Sequence, residues 1–77
     1  MIIEATKQDI PEISEFMADF WNWTKHNWNA EDTAEYIDEL YKSSREMADK
    51  YESDFVMYIV MAGIKYFIAK QKGEAHD

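Results

Sequence analysis

Cysteine is absent from the 77-residue chain, proline occurs once and glycine twice. Without cysteine there is neither a disulfide framework nor a thiolate metal site, and cysteine usage says nothing of the redox compartment. The scarcity of glycine and proline, with no repeat or low-complexity stretch, leaves no linker and points to one domain. Positive charge is scarce too: eight basic residues stand against sixteen acidic ones, a formal net charge of −8. Such a surface repels phosphate backbones and anionic lipids, so direct nucleic-acid binding is not expected. A long hydrophobic run is also missing. The apolar stretch from Phe55 to Ile64 is broken by Lys65 before Tyr66 to Ala69 resume it, whereas a membrane span needs roughly 20 apolar residues. The N-terminus has no basic region followed by an apolar one, so a secretory signal is not read there and a cytoplasmic location is expected.

Present instead are many apolar side chains, 47% of the chain, with aromatics at 16% and three tryptophans, Trp21, Trp23 and Trp28. A domain this short buries only about 60% of its unfolded surface, so large side chains or self-association must supply its stability. The pattern predicts an all-α, compact three-helix bundle with helices over about 9–24, 30–51 and 54–72 and the third helix central. Thr6, Asp9 and Glu12 have the three-residue spacing of helix caps, and Pro11 suits a first turn. Ile10, Ile13, Phe16, Met17, Phe20 and Trp21 then recur at helical intervals. The asparagine-rich segment 22–29 loses the period and reads as a connection, with Asn29 as a cap.

In the second helix, Ala34, Ile37, Leu40, Tyr41, Met47, Ala48 and Tyr51 form an apolar stripe that Ser44 interrupts. That serine either admits a neighbouring helix or bonds back to its own backbone. Ser53 is the expected cap of a third helix that is apolar on nearly every side except near Lys65, and it reads as buried, with Ala62, Gly63 and Ala69 permitting close approach. The joint 49–54 contains no glycine or proline. If it stayed helical, the second and third helices would merge, and the chain would have to dimerise to cover the apolar surface.

The residues predict no enzyme, no cofactor and no metal. His26 and His76 stand alone, while a zinc site needs three or four convergent ligands. Ser14, Ser43, Ser44 and Ser53 have no histidine nearby in a nucleophile context, and no glycine-rich phosphate loop exists. Glu31, Glu35, Asp38 and Glu39 share a broad helix face at three- and four-residue spacing. This face reads first as solvated helix surface and next as a contact for a basic partner. Acidic residues dominate up to Asp54, fourteen against five basic, and the remainder carries two against three. Trp21 falls on the core stripe, and the cluster reads first as core, with Trp23 and Trp28 closing the end of the bundle. Next it reads as a stacking platform, interleaved with Asn22, Asn27 and Asn29, for a sugar, a base or a partner's side chain, with Trp23, which falls off the stripe, and Trp28 as the expected contacts.

The opening segment, Ile2 to Ile13, resembles the first strand and helix start of GCN5-related N-acetyltransferases. It covers about a fifth of the chain, the glycine-rich pyrophosphate cradle is missing, and no acetyltransferase residue is carried over. The succession Asp9-Ile10-Pro11, Phe16-Met17-Ala18-Asp19, Tyr36-Ile37-Asp38-Glu39-Leu40, Ala48-Asp49-Lys50-Tyr51 and Asp54-Phe55 resembles small acidic helical proteins encoded by phages and prophages. That resemblance implies a host-cytoplasmic regulator or inhibitor, including inhibitors of nucleic-acid-guided defence enzymes. The expected function is a non-enzymatic protein-protein interaction module, either monomeric or a homodimer, contacting a protein through Trp23, Trp28, Glu31, Glu35, Asp38 and Glu39. The alternative is an acidic nucleic-acid mimic that fills a basic groove.

Overall fold

The computed structural model describes residues 3–6 and 10–75. It contains three α-helices, α1 (Pro11–Asn27), α2 (Ala34–Lys50) and α3 (Asp54–Gln71). Each packs on the other two, giving the all-α three-helix bundle that the periodicity predicts.

Helix α1 begins with Pro11 in its first turn, after Ile10, which has no capping side chain. The missing N–H of proline costs nothing there, because first-turn donors have no intrahelical partner. Asp9, expected to take part in the cap, and His76 lie outside the described residues. The helix does not fray at Thr24 as the loss of period predicts, but runs on to Asn27. Asn27 is buried and its side-chain Nδ2 donates to the carbonyl of Trp23 at 2.8 Å, while the Tyr36 hydroxyl donates to the carbonyl of Asn27 at 2.9 Å. The Asn27 carbonyl, which has no partner within the helix, is thereby satisfied from α2, and the buried Asn27 amide from its own helix.

Helix α2 starts at Ala34, four residues later than the expected start at 30, and its cap is Thr33 instead of Asn29. The Thr33 backbone is extended, and its Oγ1 accepts from Tyr36 N at 3.1 Å, as an N-cap hydroxyl does. Ala30 N instead donates to Trp28 O, which keeps that segment in the connection. Ser44 is buried and its hydroxyl donates to the Tyr41 carbonyl at 2.8 Å, the backbone-bonding alternative.

The joint between α2 and α3 is a true break. Tyr51 and Ser53 are both extended, and the Ser53 hydroxyl accepts from Val56 N at 3.4 Å. Tyr51 is drawn inward, where its ring meets Phe16 edge-on at a centroid distance of 5.6 Å. The three helices therefore close on one another within one chain. Their shared core is Phe16 and Trp23 from α1, Leu40 and Met47 from α2, Tyr51 from the joint, and Val56, Val60 and Phe67 from α3. Helix α3 is buried along that side only: Phe55, Met57, Tyr58 and Met61 remain exposed on the other. No helix among the described residues is long and apolar enough to cross a membrane.

Candidate functional site

The core stripe of α1 is set by Phe16, Trp23 and Asn27, with Ile13 and Phe20 half-buried beside them. These positions alternate three- and four-residue steps, and the stripe is rotated away from the one read through Met17 and Trp21. The consequence for the tryptophans is an exchange. Trp23, expected at the surface, is 6% exposed, whereas Trp21, expected inside, is 60% exposed. Trp23 packs against Phe20 and Phe67, and its Nε1 donates to Ser43 Oγ on α2 at 3.0 Å. Its one polar group is thus satisfied in the interior, as a buried indole requires.

Trp28 is 42% exposed. Its ring stacks on Tyr66 at 6.1 Å and meets Phe67 edge-on, and the Lys70 ammonium stands 3.7 Å from its centroid. Trp21 carries a second cation, with Lys25 Nζ 5.4 Å from its ring centroid. Together Trp21, Thr24, Lys25, Trp28 and Asn29 line an open cleft of about 410 Å³ at the end of α1. The two indoles that the core does not enclose thus line one cleft, each with a lysine at its face. The sequence places Trp21, Trp28 and Asn29 in one aromatic cluster but assigns Trp21 to the core, and it singles out neither Thr24 nor Lys25 as a contact. The signal in the sequence is the three-, four- and three-residue spacing of Ile13, Phe16, Phe20 and Trp23, which turns Trp21 and Lys25 to the outer side of the helix.

The acidic residues divide between two elements. Glu35, Asp38 and Glu39 are exposed on α2 and form no ion pair among the described residues. Glu31 is also exposed but lies in the connection before α2, not on the helix face with the other three. The reason is the later helix start at Thr33. The Gln71 side chain holds this connection to the end of α3, its Nε2 donating to Glu31 O at 2.8 Å and to Thr33 O at 3.2 Å.

A separate polar cluster ties α1 to the end of α2. Asp19 accepts from the Tyr51 hydroxyl and from Lys50 Nζ, and Lys50 is also 3.4 Å from Glu15. The Tyr51 bond, followed by that of Lys50, holds the Asp19 carboxyl below its usual range. Lys50 is pushed up, chiefly by its bond to Asp19, and Tyr51 is pushed up by burial and then by its bond to the same carboxylate. Each group is held more firmly in its pH 7 state, the opposite of the tuning that acid-base exchange near neutrality uses. The cluster therefore serves as a tie. Among the described residues no three histidine or carboxylate side chains converge on a metal-holding position.

The fold and surface thus define a small three-helix bundle with a two-tryptophan cleft at one end of its first helix. No family model, curated protein or solved structure matches the chain.

Proposed function

We propose that the chain is a non-enzymatic protein-protein interaction module whose anchors are Trp21 and Trp28. One observation carries this reading: a domain with little core to spare leaves two indoles exposed around one apolar-walled cleft. Aromatic side chains in this setting give large contact area at a low entropic cost and dominate binding energy at interfaces. Lys25, which lines the cleft beside Trp21, lets it take an apolar side chain flanked by a carboxylate. With the phage-type resemblance, the reading is a small regulator or inhibitor acting in the host cytoplasm.

The test is capture of the partner from host extract by the intact chain and by Trp21→Ala. Trp21 lies outside the core, so the variant should keep its fold while losing capture. Retained capture by a folded Trp21→Ala protein would remove Trp21 as an anchor.

A second reading is supported by Glu35, Asp38 and Glu39, which are exposed and unpaired among the described residues. An acidic mimic of nucleic acid would use that face to fill a basic groove. Its binding would weaken steeply with salt and vanish when the three residues are changed to lysine, whereas a tryptophan-anchored contact changes little with salt.

A further inference from the structure

The outer side of α3 carries a feature that the bundle and the tryptophan cleft leave unused. Asp54, Tyr58, Met61 and Lys65 follow one another at steps of four, three and four residues, the spacing of a single seam along a helix. All four are exposed, Tyr58 at 75%. Phe55, Met57 and the small Ala62, also exposed, flank the row. The only charges in the row are at its ends and opposite in sign: Asp54 in the first turn of α3 and Lys65 three turns later, roughly 16 Å along the axis. Neither forms an ion pair within the chain among the described residues.

We infer that this face is the interface of a homodimer in which α3 packs antiparallel on α3 of a second copy. A two-fold axis between residues 59 and 60 places Asp54 opposite Lys65 of the second copy and Tyr58 opposite its Met61. The symmetry repeats both contacts, so one row supplies two ion pairs at the rim and two sulfur-aromatic contacts at the centre. Antiparallel helices also oppose their dipoles favourably. A parallel pairing in the same register would instead set Asp54 against Asp54 and Lys65 against Lys65. The charge order along the row thus selects both the partner, another copy, and its direction.

Surface area supports the same occupant. The chain exposes 6049 Å², on the order of a thousand Å² more than a compact monomer of its mass. The exposed segment Ile3 to Thr6 supplies some of that excess, and Phe55, Met57, Tyr58 and Met61, exposed along one side of α3, supply another part. A stable dimer of standard size needs about 800 Å² from each partner.

The test uses the full chain in sedimentation equilibrium over a wide concentration range. The wild type should pass from the 9.2 kDa monomer to twice that mass as concentration rises, and Met61→Lys should weaken association by at least about tenfold with the helical circular dichroism unchanged. Asp54→Lys and Lys65→Asp should each weaken it alone. Mixed in equal amounts they should form a heterodimer, because one protomer then carries only lysine at the two row ends and the other only aspartate. A wild type that remains monomeric at the highest concentration overturns the inference. So does a dimer indifferent to Met61→Lys, a mixture that does not reassociate, or mass growing beyond the dimer as in head-to-tail stacking. Trp21→Ala should leave the dimer intact, so loss of partner capture and loss of self-association are read separately.

Discussion

The indole of Trp23 lies so close to Gly63 that a methyl group on that glycine would sit 2.7 Å from Cζ3 and 3.0 Å from Cη2. The obstacle is a rigid ring held on its other sides by Phe20, Phe67 and the bond to Ser43. Gly63→Ala improves helix propensity by about 1 kcal/mol, but overpacking a filled site costs about 1–3 kcal/mol. The expected outcome is a net loss on the order of 1 kcal/mol in urea denaturation. Combining Gly63→Ala with Trp23→Phe should recover part of it, giving a coupling between the two sites in a double-mutant cycle.

The exchange of roles between the tryptophans makes a second, sharper contrast. Trp23→Ala removes a buried ring and leaves the Ser43 hydroxyl without its donor, so a loss of about 3–5 kcal/mol is expected. Trp21→Ala removes a surface ring and one cation-π contact, and stability should stay within about 0.5 kcal/mol of wild type. Chemical denaturation of the two variants side by side decides the matter; equal losses would contradict the burial of Trp23 and the exposure of Trp21.

That contrast shows which parts of the structure were legible in the sequence. Helix number, the cap at Ser53 and the close approach at Gly63 follow from local rules, since each depends on residues within a turn or on a side chain's size, and the back-bonding of Ser44 is one of the two outcomes those rules allow. What was not legible depends on contacts distant in sequence. Asn27 looked like a loop residue, yet the Tyr36 hydroxyl from α2 completes the helix end there. Ile13, Phe16, Phe20 and Trp23 lie within the expected helix, but Met17 and Trp21 fit an apolar stripe beside them equally well, and only the packing of Trp23 on Phe67 and its bond to Ser43 decide which side faces the core. Placing the start of α2 at 30 put Glu31 on a helix face that begins only after Thr33. For the third helix, composition alone could not show that one side would stay uncovered.

Acid should unfold the protein partly through Asp19. Its carboxyl is held below the ordinary value of 3.8 in the folded protein. Its contribution is therefore fully present above that value and is lost as pH falls through the lower folded value. Asp19→Asn should be less stable than wild type at neutral pH, and the difference should shrink as pH is lowered below 3.8. Tyr51 has the opposite sign: its folded value is raised above 10.0, so its contribution is present below pH 10.0 and fades as pH rises toward the folded value. Denaturation midpoints across pH in wild type, Asp19→Asn and Tyr51→Phe measure both arms. Tyr51→Phe should also weaken the acid arm, because the bond that lowers Asp19 most is gone.

The break between α2 and α3 rests on Tyr51 more than on the residues that follow it. Ser53 caps α3 over a long 3.4 Å contact, so Ser53→Ala should cost about 1 kcal/mol or less. Glu52 is exposed, and Glu52→Ala should be within about 0.5 kcal/mol of wild type. Tyr51 is different in kind. Its ring fills the core against Phe16 while its hydroxyl reaches Asp19 on α1, and its backbone is extended where both contacts are made. Tyr51→Ala removes those contacts and installs a strong helix former at the bend, so a loss of about 3–5 kcal/mol is expected. Carbon chemical shifts of residues 51–53 should then move toward helical values. If those shifts stay extended in the folded fraction of Tyr51→Ala, the bend is imposed by the packing of α3 and not by the anchoring of Tyr51 on α1.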